Sequence, residues 1–461
     1  MKRNRVFVLL MFVSIILCAC GQTSQTEEES FVIEPTPIPT EEVLVLPNGK
    51  IVDKEVEMLE IASVENLEET AAVLTKLPKL KSLQFTETVS VQDCAEFLRK
   101  LPDIEIYGDI AGAGIKFGLN AKELDLEGKT PGEIKELLPV LPYMEQLERV
   151  ELGDAVSSPA LSLSDLEPLQ QACPWAKFSY GFELYGKKVN SCDTELDLRY
   201  IRVRDEGAAV FAAMKYMPQL KLLDMDSCKV KDENMAKIRD AYPNVKVVWR
   251  IWFGNSYSVR TDVEMILASN PEKGGCLIDG STDALKYCTE VRYLDLGHNP
   301  DLHTIEFVQY MPKLEVAILA MDNWSDCSPL ANCTELEYLE IQTTQVRDIS
   351  ALAGLTNLKH LNICYLYDLT DISPLYGLTK LERLWIGCIT PISDEQIFKM
   401  QEMVPDCVIN TRTYDPTEGG WRIDEDAKNV PRYALLREQF GDYRREAFSF
   451  FWNDPLYREV Y

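Results

Sequence analysis

Gly181-Phe182-Glu183-Leu184-Tyr185-Gly186-Lys187-Lys188 has the glycine and lysine spacing of a phosphate-binding loop up to its last position, where Lys188 replaces the hydroxyl that would hold magnesium. A turn between extended segments accounts for the glycines, so no nucleotide site is expected there. Gly108, Gly112 and Gly114 form a second glycine-rich stretch, but no strand, loop and helix with a following acidic residue frame it. The only histidines are His298, His303 and His360, and none lies in H-E-x-x-H or another metal-ligand spacing. His360 and Cys364 fall four apart on one extended segment and thus on one face, which is how a base and a nucleophile could meet. A reactive thiolate also needs a cationic or helix-terminal setting, which the neighbouring residues do not supply. Acidic pairs suited to glycoside hydrolysis are too numerous in so acidic a chain to discriminate, and no G-x-S-x-G elbow is present. The chain therefore reads as a non-enzyme, with no catalytic set, metal or cofactor expected.

The start of the chain carries a different chemistry. Lys2, Arg3 and Arg5 precede an apolar run from Val6 to Leu17, too short to span a bilayer and typical of an export signal. The run ends in Leu17-Cys18-Ala19-Cys20, which resembles the lipobox of bacterial lipoproteins. That resemblance implies a signal peptide over 1–19 and a lipidated Cys20 at the mature N-terminus. The two acyl chains of its diacylglycerol, palmitate among them, would anchor the protein to a membrane, since stable anchoring takes two signals. Loss of Lys2, Arg3 and Arg5 takes the net charge from −27 to about −30, which repels nucleic acid and leaves cationic partners open. Of thirteen cysteines, Cys18 leaves with the signal and Cys20 is acylated, so an odd eleven remain. Several stand where neighbouring units have leucine and read as small core residues, with a disulfide or two left open.

The elements that would position any site follow from repetition. Residues 20–45 are rich in Thr, Glu and Pro without a sustained period, the composition of a flexible acidic tether. Beyond it the pattern L-x-x-L-x-L recurs. Its clearest units begin at Val291, Leu336, Leu358 and Leu381, with a weaker unit of Leu314, Ala317 and Leu319 between the first two, and the five starts are spaced 23, 22, 22 and 23 residues apart. Asp348-Ile349-Ser350-Ala351-Leu352 and Asp371-Ile372-Ser373-Pro374-Leu375 are one turn written twice. Looser units start at Val56, Leu80, Leu147 and Leu220, and a longer period of 72 and then 69 residues joins Leu101-Pro102, Cys173-Pro174 and Tyr242-Pro243. Ser393-Asp394-Glu395 opens a last helical unit, as Lys231-Asp232-Glu233 opens an earlier one.

The regular units resemble the internalin-type leucine-rich repeats of bacterial surface proteins. This implies an α/β solenoid: a curved parallel sheet on the concave face, with helices or 3₁₀ turns on the convex face. The expected division is irregular repeats over 46–288, regular repeats and the last helical repeat over 289–411, and a C-terminal cap over 412–461. That last segment is dense in aromatics, from Trp421 and Tyr433 to Phe450, Phe451 and Trp452, and is expected to cover the last coil. Asn299, Asp322, Thr344 and Cys228 take the position where the family places a small or polar residue that satisfies backbone groups inside the turn.

Residues between the inward leucines should line the concave sheet. They include Tyr293, Asp295, Tyr338, Glu340, His360, Asn362, Arg383 and Trp385, and aromatic rings with an arginine on an open sheet suit ligand binding. Two functions stay open. One is a binding protein on the surface of a Gram-positive cell that takes a protein, peptide or glycan on its concave face. The other is a structural envelope component that docks partners through its C-terminal segment or convex face.

Overall fold

The computed structural model describes residues 43–62, 66–101, 103–109, 116–118, 120–255, 257–269, 277–387, 389–423 and 430–439. The stretch expected to be an export signal, Cys20, most of the expected tether, Gly112, Gly114 and the chain from 440 onward lie outside the described residues.

Three groups of parallel strands fill the first half, and each closes with an antiparallel return. Met58–Ile61, Ser82–Phe85 and Glu105–Asp109 run parallel, and Lys116–Gly118 folds back on the last. Glu123–Asp125, Arg149–Asp154 and Lys177–Leu184 repeat this arrangement, with Lys187–Asn190 returning. Glu195–Asp197, Leu222–Asp224 and Lys246–Val248 do so again, followed by a hairpin of Arg250–Phe253 and Tyr257–Arg260. The longer period in the sequence is therefore a hairpin that interrupts the ladder, and this half consists of separate short sheets. In the middle group the hairpin turns at Tyr185 and Gly186, with φ of 53° and 83°. Two left-handed residues match the twist of the strands they join. The phosphate-loop pattern is thus a two-residue turn between Leu184 and Lys187, which pair directly.

The second half is one seven-stranded sheet in chain order, all parallel: Met265–Leu267, Tyr293–Asp295, Val316–Ile318, Tyr338–Glu340, His360–Asn362, Arg383–Trp385 and Val408–Asn410. It begins one strand before the regular repeats. Met265 and Tyr293 lie 28 residues apart, which hides the first strand from a period of 22 or 23. The middle residues Leu294, Ala317, Leu339, Leu361 and Leu384 are wholly buried. They share one core with Leu285, Leu330, Leu352 and Leu375 from the 3₁₀ segments that link the strands. Flanking residues such as Val316, Ile318, Tyr338 and Trp385 form a separate cluster on the opposite face. A three-residue strand cannot enclose its own leucine, so each coil is satisfied only by its neighbours.

The corners repeat as strictly as the strands. His298, Met321, Thr343 and Tyr365 adopt φ of 65°, 62°, 59° and 59° at equivalent positions, a left-handed bend that non-glycine residues rarely take. The side chains that follow stitch it together. Asn299 Oδ1 accepts from Leu277 N at 3.0 Å and its Nδ2 donates to Leu296 O at 2.6 Å, while Asp322 Oδ1 accepts from Asn299 N at 2.7 Å. Thr344 Oγ1 donates to Ile341 O at 2.9 Å, and the Cys228 thiol reaches Leu198 O at 2.9 Å. The array ends in helix Asp394–Met403, capped by Ser393 accepting from Gln396 N, and the edge strand Val408–Asn410.

Leu361→Ala is expected to cost about 2–5 kcal/mol because it opens a cavity between two stacked coils. Phe398→Ala, on a side chain 75% exposed, is expected to stay within about 0.5 kcal/mol. Urea unfolding of both variants checks the pair, and similar losses would contradict a core shared between coils.

Candidate functional site

All eight residues expected to form a binding face fall on one side of the parallel sheet, on four of five successive strands. Tyr338, His360 and Arg383 are in register, as are Glu340, Asn362 and Trp385, with Tyr293 and Asp295 two strands before Tyr338 and Glu340. The expected open sheet is not what surrounds them. Asp295, Tyr338, Glu340, His360, Asn362 and Trp385 are buried, and only Tyr293 and Arg383 keep partial exposure. The described part of the C-terminal segment, residues 413–423 and helix Pro431–Gln439, lies on this face. The physical reason is apolar area. The rings of Tyr338 and Trp385 and the side chains of Leu267, Val316 and Ile318 form a surface that Trp421 and Leu436 remove from water.

Trp421 is wholly buried, with its ring centroid 5.3 Å from Tyr338 and 5.4 Å from Trp385. The Arg383 guanidinium lies 4.7 Å from the Trp421 ring centre. Backbone carbonyls of the segment are held in series. Asn362 Nδ2 donates to Pro416 O at 2.7 Å, and Trp385 Nε1 donates to Glu418 O at 3.1 Å. Arg383 Nη1 spans Gly420 O at 2.8 Å and Trp421 O at 3.1 Å.

Glu340 is the electrostatic centre of this contact. Its wholly buried carboxylate accepts from Trp421 Nε1 at 2.8 Å, Gln342 Nε2 at 2.9 Å and Arg422 Nε at 3.1 Å. Tyr338 Oη and Arg422 Nη2 also donate to it. Burial works to lift the Glu340 carboxyl, but the charge and hydrogen bonds of Arg422, with those of Gln342 and Tyr338, hold it below the usual carboxylate range. Asp295 lacks such a partner. Burial pushes it up to about 7 against the pull of Arg422, and its Oδ2 has no hydrogen bond among the described residues. Asp322 is pushed up to about 8 by burial. His360 goes the other way: burial, then the charges of Arg383 and Arg432, take it down to about 3, and its Nδ1 accepts from Arg383 Nε at 3.1 Å.

That last bond occupies the ring nitrogen a catalytic base would use, and Cys364 is buried on the same face. Among the described residues no cluster of His, Cys, Asp and Glu could hold a metal ion, and no disulfide joins any cysteine. Sequence reasoning missed two features. Trp421 and Arg422 reach Glu340 across 81 and 82 residues of chain, although the aromatic density of their segment did signal a packing role. A charge network in the third group also escaped it. Arg250 grips the wholly buried Asp226 through Nε at 2.8 Å and Nη2 at 2.9 Å, and Arg260 Nη1 reaches Asp224 at 2.9 Å. Beside that network lies a cavity of about 570 Å³ lined by Tyr200, Lys229, Asp232, Trp249 and Trp252.

No protein-family model matches the chain, and no curated protein matches it by sequence. Solved structures do resemble it. An internalin from Listeria monocytogenes is 19% identical over 80% of this chain and 86% of its own, with a TM-score of 0.29. Internalin C2 from the same bacterium is 18% identical over 57% and 81%, with a TM-score of 0.25. A leucine-rich-repeat protein from Leptospira interrogans is 15% identical over 77% and 96%, with a TM-score of 0.26.

Arg422→Ala strands the Glu340 charge, and breaking a buried pair in this way is expected to cost about 3–5 kcal/mol in denaturant unfolding. Asp295 tests the pH dependence. Its raised value means that the folded chain keeps a proton which the unfolded chain releases near pH 4, so stability falls as pH rises from about 4 to 7. Asp295→Asn is expected to flatten that fall, stabilising the chain at about pH 8 and changing little at about pH 4. An unchanged pH slope would contradict a buried, protonated Asp295.

Proposed function

We propose that this protein is an exported, lipid-anchored leucine-rich-repeat protein that binds a protein, peptide or glycan outside the cell through the concave face of its solenoid. Cys20 carries the lipid, residues 20–45 form the tether, 46–288 and 289–411 form the irregular and regular repeats, and 412–461 serve as the C-terminal cap. The surface is that of a Gram-positive cell. Tyr293, Asp295, Tyr338, Glu340, His360, Asn362, Arg383 and Trp385 are the recognition residues. The proposed role is binding rather than catalysis.

One observation carries the reading: Asn362, Trp385 and Arg383 together hold four backbone carbonyls of a polypeptide segment, so the face has donors placed for a chain laid across it. Spacing supports the repeat architecture, since each strand of the regular ladder pairs with one 22 or 23 residues on. Among the described residues no helix is long and apolar enough to cross a membrane. The proposed anchor is the lipid on Cys20. A second reading, a structural component docked through its last coil, is favoured by apolar side chains there: Phe398 is 75% exposed, Val408 58% and Met403 44%.

Labelled palmitate should enter the wild-type protein in cells and be absent from Cys20→Ala, which should appear in the medium; label on the variant would overturn anchoring at this residue. Partner capture from surface extracts is expected to fall about tenfold or more in Asn362→Ala/Arg383→Ala. Unchanged capture by that variant, with loss in Phe398→Ala/Val408→Ala, would favour the structural reading instead.

A further inference from the structure

We infer that residues 413–439 are an exchangeable stand-in for an external polypeptide segment in which an aromatic residue is followed by arginine. This rests on the reading of the concave face as a recognition surface and names the chemistry of its partner.

Three observations carry it. First, the segment is recognised as a ligand would be. Its backbone is held through carbonyls that any polypeptide presents, and specificity is left to two adjacent side chains. The Trp421 ring fills the slot between Tyr338 and Trp385, and its N–H and the Arg422 guanidinium share the carboxylate of Glu340. A fork of N–H donors on a buried carboxylate is a demand that arginine meets and lysine does not. Second, the leucine core does not depend on the segment. The core that joins the strands to the 3₁₀ segments is complete without any residue beyond Cys407 wholly buried in it, whereas Trp421 and Leu436 belong to a separate cluster on the other face. Lifting the segment therefore exposes that second cluster and leaves the coils stacked. Third, the fit is incomplete. Asp295 Oδ2, Gln342 Oε1, Arg383 Nη2 and Arg432 Nε are buried at or beside this contact without a hydrogen-bond partner among the described residues. A buried polar atom left unpaired weakens the state that holds it, so a partner segment with donors placed for Asp295 and Gln342 gains where the internal one loses.

Charge points to the same class of partner. The wholly buried carboxylate of Glu340 at the centre of the face calls for a cationic side chain at the position Arg422 now takes, while the rest of the segment, with six acidic and four basic side chains over 413–439, need not be cationic. Tethering sets the threshold. Residue 413 follows the last strand, which ends at Asn410, so the internal segment competes at high effective concentration and only a better-fitting or locally concentrated partner displaces it.

The test uses the full chain carrying Trp421→Ala/Arg422→Ala, which frees the slot, and a labelled synthetic peptide spanning residues 413–439. Fluorescence anisotropy is expected to show binding to this variant and binding weaker by about tenfold or more to the wild-type chain. Peptides carrying Trp421→Ala, Arg422→Ala or Arg422→Lys should each lose about tenfold or more. A second measurement needs no altered protein: in the wild-type chain, excess unaltered peptide should speed amide exchange over 413–423, and the Arg422→Ala peptide should not. Equal binding of all four peptides, binding of none, or exchange that excess peptide leaves unmoved would overturn the inference, as would displacement by soluble oligosaccharide alone. Failure here combined with capture that still depends on Asn362 and Arg383 would keep the recognition face and discard the aromatic–arginine rule.

Discussion

Stacking is the constraint from which everything else in this chain follows. A coil built on a three-residue strand has too little surface to enclose its own leucines, so Leu294, Leu339, Leu361 and Leu384 are dry only because the next coil lies against them. Stacking also settles which side chains are left over. Because side chains alternate across a strand, placing each central leucine in the core sends both its neighbours to the opposite face. Six strands in a row thereby deliver a column of aromatic, acidic and amide groups that no local interaction requires.

What that column does with its apolar and charged content is decided by a single carboxylate. Glu340 is wholly buried, and an isolated buried charge is costly enough that it must find a partner. Arg422 and Trp421 supply the charge and the hydrogen bonds, and the ring that accompanies them removes Tyr338 and Trp385 from solvent in the same move. Asp295, two strands earlier on the same face, receives no such arginine pair, and burial pushes it up to about 7 instead. Two carboxyls on one surface thus meet burial in opposite ways, one by pairing and the other by neutralising.

Much of the fold could be read from spacing. Val291, Leu314, Leu336, Leu358 and Leu381 each open a coil, and the weak unit Leu314, Ala317 and Leu319 folds like its neighbours because position matters more there than bulk. Lys188 in place of a hydroxyl was enough to set the phosphate-loop pattern aside, and Tyr185 with Gly186 form a hairpin turn. The eight face residues were legible as a group because alternation is local. Their surroundings were not. Whether Tyr338 meets water or Trp421 depends on a contact 83 residues away in the chain, and periodicity carries no information about such a return. The same limit hid the pairing of Asp226 with Arg250, which needs a hairpin whose partner strand, Tyr257–Arg260, shows no repeat signature. Nor does composition say where the aromatic segment packs: the contacts of its described residues include the sheet face as well as Asn410 of the last strand.

Native-state amide hydrogen exchange on the intact protein tests the central claim most directly, because it ranks the ladder and the segment on one scale. The account predicts two steps. Amides 417–423 should open at a lower free energy than those of Ile341, Ile363 and Ile386, whose N–H groups donate from one coil to the next. Exchange of the segment and the ladder together, at one free energy and in one cooperative step, would mean that the segment is an inseparable part of the core and would contradict the account.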